Sequence, residues 1–175
     1  HRGAIVNWLD FIIAIILIAS VLGGLKDGTF KSAGRLAAIL VAIPLAGLSY
    51  RLPSWALSFL PGTDWEDLLG FGIAFGLIRW LLEAPVSIER WLTGEKRQAK
   101  GPLNRAMGGA VNLLAGSMGV LLFALAVTAY PILGWLSGAM LDSRLVVSLE
   151  SRLGFVPAML PHMFKAAAEA IRLGS

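Results

Sequence analysis

Asp10 and Arg79 are the side chains in this sequence best placed for chemistry, because each borders or interrupts a run that carries no other charge. A carboxylate in an apolar run can hold a proton or a cation. A guanidinium there can hold an anion or a lipid headgroup. Asp10 has a plainer use. It follows Asn7 by three residues at the head of the run Phe11 to Leu25, where side-chain oxygens accept the orphan N–H groups of a helix start and a carboxylate suits the positive end of the helix dipole. Arg79 has plain uses too. Glu83 lies at i+4 on the same helical face, and the long arginine stem can carry its charge out to an interface. Asp10 and Arg79 fall near opposite ends of their runs and are not expected to pair.

Gly24 and Gly28 flank Lys26. Glycine permits positive φ, so the expectation is a tight turn; a phosphate-cradling loop would need a spacing that is absent. Gly72/Gly76, Ala115/Gly119 and Ala42/Ala46 are small-residue pairs of the kind that let helices approach closely, within the chain first and between copies second. Asn112, Ser117 and Thr128 are expected to bond between helices. Catalysis has little to draw on: the histidines are His1 and His162, and neither a Ser-His-Asp order, an HExxH motif nor a metal-ligand cluster is present. We therefore expect no enzyme, no catalytic residue, no cofactor and no metal. The basic segments are short and lack interleaved aromatic platforms, which argues against nucleic acid.

The elements that must position these residues follow from the charge map. Ala106 to Leu141 contains no Asp, Glu, Lys or Arg, more than the ~20 apolar residues a membrane-spanning helix needs. Hydrophobic residues make up 57% of the chain, charged ones only 15%, and mean hydropathy is +0.74, so an integral membrane protein is expected. With no cysteine, disulfides and thiolate metal sites are excluded. Leu36 to Tyr50 is also uncharged, and Leu68 to Leu82 carries only Arg79. These runs predict an all-α bundle of four transmembrane helices near 8–26, 33–51, 66–83 and 107–131, with Trp8, Tyr50, Trp65, Trp80 and Tyr130 near their ends. Pro44 is expected to kink the second helix, and Pro131 to bend or end the fourth. No small-residue cleavage site closes the first run, so it is read as a span and not as a removed signal.

Basic residues concentrate in two alternate connections. Loop 26–35 has Lys26, Lys31 and Arg35, and 84–105 has Arg90, Lys96, Arg97, Lys100 and Arg105. The positive-inside rule makes both loops cytoplasmic, where anionic lipids would meet them, and puts both termini outside. Ala84 to Pro102 suits a short helix on the membrane surface. Residues 1–136 form the expected membrane domain. Residues 137–175 form an amphipathic tail on the outer face, with Leu145, Leu149 and Leu153 on one side of its first helix. His162, Lys165, Glu169 and Arg172 line one face of the second helix. These helices either cap the bundle or dock a partner.

Asn7-Trp8-Leu9-Asp10, an apolar helix, and then Gly24-Leu25-Lys26-Asp27-Gly28 resemble the start of the colicin V production protein (CvpA) family. Leu103-Asn104-Arg105-Ala106-Met107-Gly108-Gly109, leading into the longest apolar run, resembles the segment before that family's fourth span. Lys26-Asp27 departs from a commoner basic pair. The resemblance implies a bacterial inner-membrane protein linked to bacteriocin export, envelope stress resistance and biofilm traits. The same four-span unit also anchors periplasmic serine proteases. The resembling segments point to Asn7, Asp10, Gly24, Lys26, Gly28, Asn104, Arg105, Gly108 and Gly109, and the charge pattern adds Arg79. The leading expectation is a non-enzymatic scaffold or accessory subunit that packs on a membrane-protein partner or on its own copies. A small transporter component and a protease anchor are the alternatives.

Overall fold

An uncharged run in hydrocarbon has only its own backbone to satisfy its polar groups, and helices are the result. The computed structural model describes residues 7–57, 63–93, 101–130, 134–160 and 162–173, and every regular element among them is helical. The helices are α1 (Trp8–Ser49), α2 (Arg51–Ala56), α3 (Thr63–Thr93), α4 (Pro102–Ala129), α5 (Gly134–Leu141), α6 (Arg144–Arg152), α7 (Phe155–Ala158) and α8 (His162–Leu173). Among the described residues, two helices are long and apolar enough to cross a membrane: α1 with 42 residues and α4 with 28.

The predicted first and second helices are the two arms of α1, and the predicted charged loop 26–35 between them is itself helical. What separates the arms is Gly28 alone, at φ 76° and ψ 178°. The bend is sharp. Asn112 donates to the Ser20 carbonyl through its amide nitrogen and accepts from Arg35 through its oxygen at 2.9 Å. Along a straight helix residues 20 and 35 would lie about 22 Å apart, beyond the joint reach of those two side chains. The left-handed φ is open to glycine and strained for other residues, so one glycine does the work assigned to a ten-residue loop. The backbone leaves helical angles at Gly28, while Pro44 stands inside the second arm.

The third helix also runs longer than predicted. It continues through Pro85 to Thr93, so the start of the supposed surface helix is an extension of α3. The side chains of Ile88, Trp91 and Leu92, and the whole of residues 94–100, lie outside the described residues, as does Pro131. The fourth helix begins at Pro102, a residue whose missing N–H costs nothing in a first turn.

Side-chain contacts give each segment a direction. Thr29 meets Asn104 at the bend, and Asp10 meets Ser143 at the other end. Phe71 and Tyr130 both touch Phe164 of α8, with ring centroids 4.9 and 6.1 Å away. The first arm, the second arm, α3 and α4 therefore alternate up and down, and α5 to α8 gather at the end opposite Gly28. α4 is the central helix: it packs on α1, α5, α6, α7 and α8, while α3 packs on α1 and α2. One core cluster joins Ile43, Met118, Leu121 and Leu125 of the long helices to Val146, Val156, Phe164 and Ile171 of the tail. The tail is thus a plug seated in the bundle, with its buried face centred on Val146, Glu150 and Leu153; Leu145 and Leu149 are only half buried.

Candidate functional site

Bending a helix at one glycine leaves the first N–H groups of the new segment without partners. Thr29 is the first residue past the bend. Its N–H donates to the Asn104 side-chain oxygen at 3.1 Å, and its hydroxyl donates to the Asn104 carbonyl at 3.0 Å. Asn104, carried on α4, caps the second arm of α1 from outside. Beside it, Arg35 donates to Asp27 at 3.0 Å and Lys31 donates to Asp27 at 2.5 Å, so one carboxylate ties two cations together at the bend. Lys26 and Arg105 sit at this end with exposed side chains.

These bonds require α1 and α4 to touch through their backbones. A methyl group built on Gly24 would overlap the Gly108 carbonyl oxygen and lie 2.6 Å from the Asn112 Cβ; one built on Gly108 would lie 2.5 Å from the Gly24 oxygen. Gly109 is looser, facing the flexible end of Leu25 at 3.1 Å. The predicted Gly72/Gly76 pair does not pack inside the chain: a methyl at either position meets nothing within 4 Å. Phe71, Ala74 and Ile78 form the inward face of α3 instead, and Ala42 and Ala46 are fully buried, as an intramolecular contact requires.

At the far end, Asn7 caps its own helix and also donates to the Ala139 carbonyl at 2.8 Å. Asp10 is buried and caps a different helix. Its Oδ1 accepts from the Ser143 hydroxyl at 2.5 Å and from the Leu145 N–H at 3.2 Å. Ser143 in turn accepts from the Val146 N–H at 3.2 Å as the cap of α6. The local expectation placed Asp10 at the start of α1. The structure does place it there, but the oxygen works 133 residues away. Arg79 donates to Glu83 at 2.9 Å, and Asp10 and Arg79 are indeed not paired. Asn112 bonds between helices, whereas the buried Thr128 hydroxyl, expected to do likewise, has no hydrogen-bond partner.

Sequence reading missed the Glu150–Arg172 pair. Glu150 is 1% exposed, and the Arg172 Nε donates to both its oxygens at 2.7 and 2.8 Å, joining α6 to α8. Hydrogen bonding to Glu150 holds the Arg172 guanidinium above its ordinary value. The signal was a glutamate on the apolar face of α6. Arg172→Ala should lower the melting temperature by leaving a buried carboxylate behind, and adding Glu150→Leu should recover most of it, since an apolar replacement of similar volume removes the stranded charge. A thermal melt of the two variants in detergent checks this.

The arrangement locks helices: each singled-out polar group that engages a partner caps a helix, joins two helices or forms a local ion pair. Among the described residues, no three His, Asp or Glu side chains converge on a metal-sized site. Against known proteins, the family model described as colicin V production protein matches residues 9–154. No curated protein and no solved structure matches the chain.

Proposed function

Because the chain belongs to the colicin V production protein family, we propose that it is a bacterial inner-membrane protein that crosses the bilayer four times and serves a larger membrane complex as a scaffold or accessory subunit, without chemistry of its own. The observation that carries this reading is the outer face of α1. Phe11, Ile15, Ile18 and Leu22 are 50–67% exposed and follow one another every three or four residues. In water such a stripe is a liability or an interface; against lipid tails or a partner's spans it is at rest. Leu77, Trp80 and Leu81 extend the apolar exposure onto α3.

The alternating segments support four crossings, the two arms of α1 counting as two. Lys26, Lys31, Arg35 and Arg105 gather at the Gly28 end, which the positive-inside rule makes cytoplasmic. The opposite end, with the tail plugged into it, then faces outward with both termini. The locked polar groups support a static role better than a transporting one: Asp10 is tied to α6 and Arg79 to Glu83.

Two measurements test this. The chain has no cysteine, so single substitutions report sidedness cleanly. Lys31→Cys should react with a membrane-impermeant maleimide from the cytoplasmic side and Ser148→Cys from the outside; labelling of both from one side would overturn the topology. Purification from native membranes in mild detergent should yield a second polypeptide in fixed ratio. Recovery of this chain alone would overturn the accessory role.

A further inference from the structure

A groove of about 730 Å³ opens on the side of the bundle between the first arm of α1 and α4. One wall runs along α1 from Leu9 to Gly23 and the other along α4 from Asn112 to Phe123. The fourteen helical rises from Leu9 to Gly23 give it a length of about 21 Å, longer than the ~15 Å that one leaflet of a ~30 Å hydrocarbon core occupies. Its body is apolar, lined by Ile12, Ile16, Ile39, Val120 and Phe123, and Gly119 leaves room at its floor. Its end nearest the bend is different. There Arg35 and Arg79 meet Ser20, Asn112 and Glu83.

We propose that this groove is a binding site for an anionic phospholipid of the cytoplasmic leaflet, with an acyl chain along the α1–α4 cleft and the phosphate between Arg35 and Arg79. The assignment rests on the membrane reading above. Charge and shape select the occupant. Arg35, Arg79 and the adjoining Lys31 stand against Glu83 and Asp27, which leaves a net positive end on an apolar slot, and basic pockets between helices on the cytoplasmic side suit acidic headgroups. A guanidinium has five N–H donors. Arg35 spends one on Asn112 and one on Asp27, and Arg79 spends one on Glu83, so both retain donors for phosphate oxygens. Trp80, next to Arg79 and well exposed, fixes the depth, since indole rings favour the headgroup level.

The test compares lipid retention by native mass spectrometry on the full chain, with phosphatidylglycerol and phosphatidylcholine as probes. The wild type should prefer phosphatidylglycerol, and Arg79→Gln should weaken that preference several-fold, up to about tenfold. Gly119→Leu puts a side chain into the groove from a position where the first added carbon meets nothing within 4 Å. It should keep its melting temperature and lose the bound lipid. Equal retention of the two lipids, or a Gly119→Leu variant that holds phosphatidylglycerol as the wild type does, would overturn the proposal. A Gly119→Leu variant that keeps its lipid but loses a co-purifying polypeptide would assign the groove to a protein and overturn it too. Maleimide sidedness in these variants separates the two readings: unchanged labelling with unchanged lipid retention sinks the lipid site and leaves the topology standing.

Discussion

Gly24→Val should fail to accumulate as a folded protein, while Gly72→Ala and Gly76→Ala, on a helix that carries the better-known small-residue motif, should accumulate normally. At Gly24 the obstacle is backbone. The first added carbon overlaps the Gly108 carbonyl oxygen, and no rotamer change in a neighbour relieves that. α1 and α4 must separate, and separation breaks the Thr29–Asn104 and Ser20–Asn112 contacts that the close approach permits. Overpacking alone costs about 1–3 kcal/mol. Each interhelical hydrogen bond lost in a membrane adds roughly 0.6–1.7 kcal/mol. The sum, about 2–6 kcal/mol, is a large share of the ~5–15 kcal/mol that holds a domain together. Gly72 and Gly76 face open space, where alanine gains up to about 1 kcal/mol of helix propensity. Expression level and monodispersity in detergent distinguish the two sites. Normal behaviour of Gly24→Val would mean that α1 and α4 do not touch there.

Asp10→Ala should be the most damaging single change at the opposite end, lowering the melting temperature by roughly 5–15 °C if each kcal/mol is worth ~2–4 °C in a chain of this size. The alanine strands the Ser143 hydroxyl and the Leu145 N–H, both donors to the same oxygen, at a combined penalty of about 2–4 kcal/mol. Asp10→Asn keeps an acceptor oxygen and should cost about half as much. Ser143→Ala should be non-additive with Asp10→Ala, because the two remove one interaction. A carboxylate serving proton or cation passage would show the reverse pattern, with Asp10→Asn fully folded and functionally dead. A melt of the four variants decides between them.

Much of this was legible in the sequence because it depends on composition and on local pattern. Uncharged runs became helices, Asn7 became a cap, and Gly28 took the positive φ that the Gly24–Gly28 pair promised. The resemblance on Leu103 to Gly109 singled out Asn104 and Gly108, although not their partners. What escaped was set by tertiary contact. Nothing near Thr29 says that its acceptor lies 75 residues away on α4. The loop 26–35 looked like a loop because of its charges, yet Asp27 binds both Lys31 and Arg35 on a helical frame. GxxxG misled on α3 because spacing says which residues share a face, not whether that face has a neighbour. The tail's amphipathic pattern was visible, but a pattern does not distinguish a helix resting on lipid headgroups from one inserted among Phe71, Tyr130 and α4.

The bond between Asp10 and Ser143 also fixes an order of events during synthesis. Asp10 leaves the ribosome before Ser143, its hydroxyl partner, which is 133 residues behind it. At about 5–20 residues per second, the carboxylate waits roughly 7–27 s before the donor exists. For that interval the newborn chain has its hydrophobic segments without the clasp that closes them, so a protease or an insertion chaperone can tell a copy still lacking Ser143 from one that has closed on it.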